Sequence, residues 1–143
     1  MKTILALLTV TQLAFITPSF AADPSTETVA KQQAENAAVT WVALIDAGKY
    51  AESWDNAGTL FKSSVPKAEY EKGIQAARTP LGAVKSRSVK ISEYTTALPG
   101  APSGEYVVVQ FQTEFANKKP AVEIITPMHE KDGSWKVTGY FIR

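Results

Sequence analysis

The sequence predicts an α+β domain in which three N-terminal helices pack on a curved four-stranded antiparallel sheet. Two observations carry this prediction. In the first half of the chain apolar residues recur every three or four positions, as on one face of a helix, whereas in the second half they alternate with polar residues, as in strands. Short turn sequences separate the alternating segments, so neighbouring strands are expected to be antiparallel.

The first 21 residues have the pattern of a secretory signal peptide. Lys2 precedes a mostly apolar stretch over residues 4–16, and Ser19-Phe20-Ala21 supplies small residues for cleavage after Ala21. The stretch is shorter than the ~20 apolar residues that span a bilayer. We therefore expect an exported protein, periplasmic or extracellular, with a single domain over residues 22–143 and no membrane anchor after cleavage.

Three helices are predicted before the sheet. The first begins at Asp23-Pro24, where the aspartate caps the helix and proline takes the first helical position, and it ends near Gly48. The second ends near Gly58, and the third runs from Pro66 to Pro80, which cannot continue a helix. Their apolar stripes are Ala30, Ala34, Ala37, Trp41 and Ile45, then Tyr50, Trp54, Ala57 and Phe61, then Tyr70, Ile74 and Ala77.

Four strands follow. The first, over residues 84–96, alternates poorly, which indicates an edge strand or a bulge. The others are predicted at Gly104–Phe115, Pro120–Glu130 and Ser134–Arg143. Pro127 cannot donate a ladder hydrogen bond, so its amide must point away from the neighbouring strand or lie at a bulge.

Two candidate turns, Asn117-Lys118 and Asp132-Gly133, set the expected register of the last three strands. In this register one sheet face is apolar and carries Val107, Phe111, Ile124, Met128, Val137 and Phe141. The opposite face mixes apolar and hydrogen-bonding groups, and its candidate interface residues are Tyr106, Val108, Gln110, Ile125 and Tyr140. No helix is left to cover this mixed face, so it is a candidate surface for a partner or a homodimer.

Several classes of function have no support in the sequence. Of 15 basic side chains one, Lys2, leaves with the signal peptide, and the 14 that remain equal the 14 acidic ones, so no nucleic-acid surface is expected. The absence of cysteine excludes disulfides and thiolate metal sites. No HExxH, CxxC, GxSxG or phosphate-loop pattern occurs, and no metal or cofactor is predicted.

No catalytic residue is predicted either. His129 is the only histidine, and the sequence places no carboxylate to orient it, so a surface imidazole is expected. Asp46 stands at the end of the first helix, where a helix-end role is the simpler interpretation.

Arg78, Arg87, Trp54 and Tyr70 are the candidate ligand-binding residues. A guanidinium group offers a rigid two-pronged donor that can grip an acidic ligand. The same geometry can instead bridge elements through Glu105, Glu123 or the terminal carboxylate, and both interpretations stay open. Arg78 and Arg87 are expected to point toward the same region, and Trp54 is the tryptophan best placed to line a pocket.

Four motifs resemble a known family over nearly all of the chain after the signal peptide. They are Trp41-x-x-Leu44-Ile45-Asp46-x-Gly48-x-Tyr50-x-x-Ser53-Trp54, Arg78-Thr79-Pro80-Leu81-Gly82-x-Val84-x-x-Arg87, Leu98-Pro99-Gly100-Ala101-Pro102-x-Gly104-Glu105-Tyr106 and Asp132-Gly133-x-Trp135-x-Val137-x-Gly139-Tyr140-x-Ile142-Arg143. The chain resembles the bacterial domain of unknown function 4019 family. The resemblance implies an exported protein with a nuclear-transport-factor-2-like, or cystatin-like, fold, and it supplies no activity and no catalytic residues.

Three functions from different classes remain. The first is a non-catalytic module of the bacterial envelope that binds a small molecule or peptide between the helices and the sheet. The second is a protein–protein or homodimer module that uses the mixed sheet face. The third is an enzyme with a small cavity, which the missing motifs make the weakest of the three.

Overall fold

The computed structural model describes residues 23–143, so the expected signal peptide and its cleavage site lie outside the described residues. The helices are α1 (Pro24–Asp46), α2 (Tyr50–Asp55), α3 (Thr59–Ser64) and α4 (Lys67–Arg78), followed by a single 3-10 turn over Thr79–Leu81. The strands are β1 (Val84–Thr95), β2 (Tyr106–Phe115), β3 (Lys118–His129) and β4 (Trp135–Ile142), paired antiparallel in the order β1-β2-β3-β4. The predicted α+β class and antiparallel sheet are confirmed. Within residues 23–143, none of the helices has the length and apolar character needed to cross a bilayer.

Four helices form where three were predicted, because the chain leaves helical geometry at Gly58. The Gly58 amide donates to the carbonyl oxygen of Val137 at 2.7 Å, and the next amide, of Thr59, donates to Glu130 Oε1 at 2.8 Å. A Cβ atom at Gly58 would lie 2.9 Å from that glutamate oxygen. The break between α2 and α3 is therefore fixed by docking on the β3–β4 hairpin, and Phe61 belongs to α3.

Helix α1 lies against the sheet through the stripe of small residues that the sequence predicts. Ala34 and Ala38 are fully buried, and their small side chains allow the helix axis to approach the strands closely. Trp41 anchors the end of the stripe, where its indole nitrogen donates to the carbonyl oxygen of Ser53 at 2.7 Å. The Trp41 ring meets Tyr140 edge to face at 5.6 Å, so one residue joins α1, α2 and β4.

The register predicted between β2 and β3 was wrong by one residue. The closing pair is Phe115 with Lys118, so the turn residues are Ala116 and Asn117. The turn is held by the segment before β1, because the Ala116 and Asn117 amides donate to the carbonyl oxygens of Ala83 and Leu81 at 2.8 and 2.9 Å. As a consequence Phe111 lies opposite Glu123 rather than Ile124.

The register between β3 and β4 agrees with the prediction at one end only. Ile124 pairs with Phe141 as predicted, and Ile125 pairs with Tyr140. Toward the turn, Met128 pairs with Lys136 instead of Val137, because β4 carries an extra residue opposite the Thr126–Pro127 step. Of the two alternatives predicted for Pro127, the structure shows the bulge, with the extra residue on the partner strand β4.

These two shifts redistribute the predicted sheet faces. Val107, Phe111 and Val137 pack against the helices, as does Ile125, which was predicted to lie on the mixed face. The surface turned away from the helices, here called the outer face, carries Ile91, Val108, Gln110, Val122, Ile124, Thr126, Met128 and Phe141.

Three of the five candidate interface residues are therefore corrected. Ile125 is fully buried under the helices, and Tyr140 packs on Trp41 from the same side. Tyr106 is fully buried beneath the loop that precedes β2, where its hydroxyl donates to the carbonyl oxygen of Pro102 at 2.6 Å. Only Val108 and Gln110 remain on the outer face as predicted.

Strand β1 is an edge strand with two irregularities, in agreement with its poor alternation. Pairing with β2 shifts between Val84 and Ser86 and again between Val89 and Ile91. The two residues at these shifts are Lys85 and Lys90, and both are exposed. Bulges and lysines on an edge strand disfavour pairing with a strand from another chain.

Candidate functional site

Six polar and charged side chains converge between the sheet and the ends of α1 and α4. They are Asp46, Arg78, Arg87, Thr113, Glu123 and Tyr140, here called the ion-pair cluster. Asp46 and Arg78 are the last residues of their helices, and the other four lie on one strand each. All four strands and the two helices therefore contribute to a single polar cluster in an apolar interior.

Arg87 is the centre of the ion-pair cluster. Its Nε and Nη2 atoms donate to the two carboxylate oxygens of Glu123 at 2.6 and 3.2 Å. Its Nη1 and Nη2 atoms donate to the two oxygens of Asp46 at 2.6 and 3.1 Å. One guanidinium group thus grips two carboxylates in two-pronged fashion, a geometry that lysine cannot reproduce.

Glu123 is 0% exposed, a rare state for a carboxylate and one that requires full pairing. Besides Arg87, Thr113 Oγ1 donates to its Oε2 atom and Tyr140 OH donates to its Oε1 atom, each at 2.5 Å. Glu123 lies two residues from each of the buried residues Ala121 and Ile125 along β3, and every second residue of a strand faces the same side. Its side chain therefore points inward with theirs.

Arg78 closes the ion-pair cluster from the helix side and is 6% exposed. Its Nη2 atom donates to Asp46 Oδ1 at 2.7 Å, and its Nη1 atom lies 3.4 Å from Tyr140 OH. The guanidinium carbon stands 5.0 Å from the Phe115 ring centre, a cation–π contact. Both arginine candidates therefore point to the same region, as predicted, and both share Asp46.

Within the ion-pair cluster, the pKa values of Asp46 and Tyr140 lie far from neutral pH. Burial opposes the ionisation of Asp46, but hydrogen bonds and charges from Arg87 and Arg78 outweigh it and hold the pKa below its usual 3.8. Burial, together with the charge of Glu123, raises the pKa of Tyr140 far above its usual value. Neither Asp46 nor Tyr140 is therefore poised to exchange a proton near pH 7.

The family model described as a protein of unknown function (DUF4019) matches residues 37–140. The chain belongs to this family. No curated protein and no solved structure matches the chain. The matched range includes all six residues of the ion-pair cluster, so in this DUF4019 protein the family region coincides with the part of the fold that the cluster ties together.

The lowered pKa of Asp46 gives a pH-dependent contribution to stability. A carboxyl group whose folded pKa is depressed stabilises the fold above its unfolded pKa, and this stabilisation is lost as pH falls through the folded value. We expect Asp46→Asn to be less stable than wild type at pH 7 and the difference to shrink below about pH 4. Urea unfolding of both proteins between pH 7 and pH 2.5 measures this. A difference that stays constant with pH would show that Asp46 contributes through packing alone.

The two aromatic candidates have internal partners of their own. The Trp54 indole nitrogen donates to the carbonyl oxygen of Val65 at 2.9 Å, and two lysine ammonium groups lie about 6 Å from its ring. The Tyr70 hydroxyl pairs with Ser53 Oγ at 2.8 Å, and burial raises its pKa to about 12. These hydrogen bonds join α2 to the α3–α4 segment, so Trp54 and Tyr70 have hydrogen-bond partners that the two arginines do not share.

His129 has a carboxylate partner that the sequence did not indicate. Its Nδ1 atom lies 2.8 Å from Glu105 Oε2, and its ring stacks on Trp135 at 5.0 Å. Tyr94 OH donates to the other oxygen of Glu105 at 2.8 Å. Hydrogen bonds from His129 and then Tyr94 lower the pKa of Glu105. Within residues 23–143 no group of three His, Cys, Asp or Glu side chains is arranged to hold a metal ion.

Three members of the ion-pair cluster are not among the predicted site residues: Thr113, Asp46 and Glu123, of which Glu123 is predicted only as an internal partner of the arginines. Thr113 lies midway between Phe111 and Phe115, at a spacing of two residues from each, so it faces the same side of β2 as they do. This period-2 pattern predicts that the Thr113 side chain points into the interior. Asp46 lies in the sequence motif at the end of α1, from which only a helix-end role is predicted. The structure shows that Asp46 also accepts hydrogen bonds from Arg78 and Arg87.

Proposed function

We propose that the protein is an exported, non-catalytic interaction module of the bacterial envelope that pairs with a second copy of itself through the outer face. Four helices followed by an antiparallel meander support the nuclear-transport-factor-2-like, or cystatin-like, assignment. The signal-like pattern at the start of the sequence supports export.

A row of apolar side chains across the outer face carries the proposal. Ile91, Gln110, Ile124 and Phe141 lie side by side on β1 to β4. Phe141 is 67% exposed and Ile91 is 43% exposed. Aromatic and aliphatic side chains grouped in this way on an uncovered sheet face are typical of an interface.

The composition of the outer face favours a second copy as its partner. A two-fold interface brings the same patch together twice, so the patch must be complementary to itself. Gln110 lies within this row, and Gln112 and Thr126 lie next to it. All three side chains can donate and accept hydrogen bonds and can pair with their own copies. The bulges at Lys85 and Lys90 disfavour edge-to-edge pairing through β1, which favours contact through the face.

The geometry of the ion-pair cluster weighs against a ligand or an active site at the two arginines. Arg78 and Arg87, the best candidates for gripping an acidic ligand, already balance Asp46 and Glu123. A ligand there would have to break buried ion pairs, which costs several kcal/mol for each charge left unpaired. The same pairing leaves the ion-pair cluster without a free base or nucleophile for an enzyme.

Phe141→Asp is expected to convert a dimer into a monomer. Removing an exposed aromatic anchor and placing a charge against its copy weakens association by at least about 2 kcal/mol, or roughly thirtyfold in Kd. Sedimentation velocity of the exported form at tens of micromolar measures the change. Val29→Asp is the matched control, because Val29 is 55% exposed on α1 and lies away from the sheet.

The control variant should sediment as wild type does, and thermal unfolding should show that both variants are folded. A wild-type monomer at these concentrations contradicts the proposal. So does an equal loss of dimer in both variants, which would place the interface elsewhere.

A further inference from the structure

A cleft of about 640 Å³ lies between the α2–α3 segment and the β3–β4 turn. One wall is formed by residues 57–63 and the other by residues 128–136. This volume lies within the range of sites that enclose small molecules. The cleft is separate from the ion-pair cluster, and it adjoins the outer face only at Met128 and Lys136.

The cleft has an apolar floor. Ala57, Leu60 and Met128 line it, from the end of α2, from α3 and from β3. Leu60 and Met128 are only partly buried in the protein itself, so each keeps apolar surface that a ligand can cover.

The rim of the cleft is basic. Lys62, Lys131 and Lys136 line it, and within residues 23–143 none of these three lysines forms an ion pair with a carboxylate within 4.0 Å. The Lys62 ammonium donates to the carbonyl oxygen of Asp55 at 3.3 Å, which leaves its charge without a carboxylate partner. The two acidic side chains in the lining are already used by the protein. Glu130 accepts the Thr59 amide at 2.8 Å, and Asp132 accepts the Ser134 amide at 2.9 Å and its hydroxyl at 2.6 Å.

Both walls are held in place before any ligand arrives. The Gly58 amide bonds to β4, and the turn is closed by the Glu130 amide donating to the carbonyl oxygen of Ser134 at 2.7 Å. His129 fixes the base of the turn, because its two ring nitrogens contact Glu105 and the carbonyl oxygen of Gly133. A preformed cleft loses less conformational entropy when a ligand binds.

From this arrangement we propose that the cleft binds a small carboxylate with an apolar body, such as an acyl or aryl acid. The apolar body covers Leu60 and Met128, and the carboxylate faces the lysine rim. The engaged acidic side chains keep the walls in place and leave more positive than negative charge facing the ligand. This assignment does not depend on dimer formation, because two of the three lysines and the α3 wall lie off the outer face.

Titration with sodium decanoate, below the concentration at which it forms micelles, tests the proposal on the exported protein. We expect saturable amide shifts in the nitrogen–proton NMR spectrum that are confined to residues 57–63 and 128–136. Acetate has the charge without the body, and decanol has the body without the charge. Acetate should produce no saturable shifts, and decanol should bind about tenfold more weakly than decanoate, the loss of roughly 1.4 kcal/mol from its missing charge.

The double variant Lys62→Gln with Lys131→Gln should weaken decanoate binding about three- to tenfold. The matched control is Lys72→Gln with Lys85→Gln, which removes two exposed lysines outside the cleft and should leave binding unchanged. Both variants leave the outer face intact, so a failure here is separate from a failure of the dimer proposal. Shifts outside the two walls, equal binding of decanol, or equal weakening in the two double variants would each overturn the assignment.

Discussion

Arg87→Met is expected to lower the free energy of unfolding by about 3–5 kcal/mol. Methionine replaces the aliphatic stem of the side chain and removes the guanidinium group. Glu123 would then remain fully buried with only the Thr113 and Tyr140 hydroxyls as partners, and Asp46 would lose one of its two cations. Urea unfolding at pH 7 measures the loss.

Two further variants define the cause of that loss. Arg87→Lys keeps the charge but cannot grip both carboxylates, so an intermediate loss of about 1–3 kcal/mol is expected. Arg143→Met removes an exposed arginine and should change stability by less than about 0.5 kcal/mol. Wild-type stability in Arg87→Met would mean that the guanidinium is free for a ligand, against the geometry described above.

Trp41→Ala is expected to cost about 3–5 kcal/mol, because it empties the position where α1, α2 and β4 meet. The ring packs against Tyr140 and against Phe61, whose ring centre lies 6.4 Å away. Its nitrogen also donates the buried hydrogen bond to the carbonyl oxygen of Ser53. Guanidinium-induced unfolding followed by circular dichroism gives the loss without relying on tryptophan fluorescence.

Trp41→Phe separates the two contributions. The smaller ring keeps most of the packing and leaves the Ser53 carbonyl oxygen without its donor, which costs about 1–3 kcal/mol. Val39→Ala is the control on the exposed side of the same helix and should stay within about 0.5 kcal/mol of wild type. A loss in Trp41→Phe equal to that in Trp41→Ala would assign the effect to the hydrogen bond alone.

The elements of this fold could be predicted from sequence because their signals are local. Asp23 caps α1 through a 3.0 Å hydrogen bond to the Ser25 amide, as its position before Pro24 predicts. Gly48 follows α1 with a φ of 73°, a conformation that glycine adopts without strain. The last three strand segments follow from period-2 alternation in the same way.

The sheet register could not be predicted because it depends on contacts distant in sequence. The turn at Asn117 is set by hydrogen bonds to the segment around Leu81, 36 residues earlier, and nothing within the hairpin itself indicates them. A shift of one residue then moved Ile125 from the mixed face into the core and Ile124 out of it.

The candidate site was predicted in part for a related reason. That Arg78 and Arg87 meet follows from their closeness in sequence, and Glu123 was among the partners considered. The contact of Asp46 with the two arginines depends on the tertiary structure, because Asp46 lies at a helix end 32 and 41 residues away from them in sequence. Sequence spacing alone therefore favours internal bridging over ligand binding without deciding between them.

A chain without cysteine has to connect its distant segments by other means, and Arg87 does so. Through Asp46 and Glu123 it fastens the end of α1 and the middle of β3 to β1, across 41 and 36 residues of sequence. In many small exported domains such a connection is a disulfide, which needs an oxidant to form and fails in a reducing compartment. The arginine connection forms on folding itself, so the domain reaches the same structure on either side of a membrane, whatever the redox state it meets.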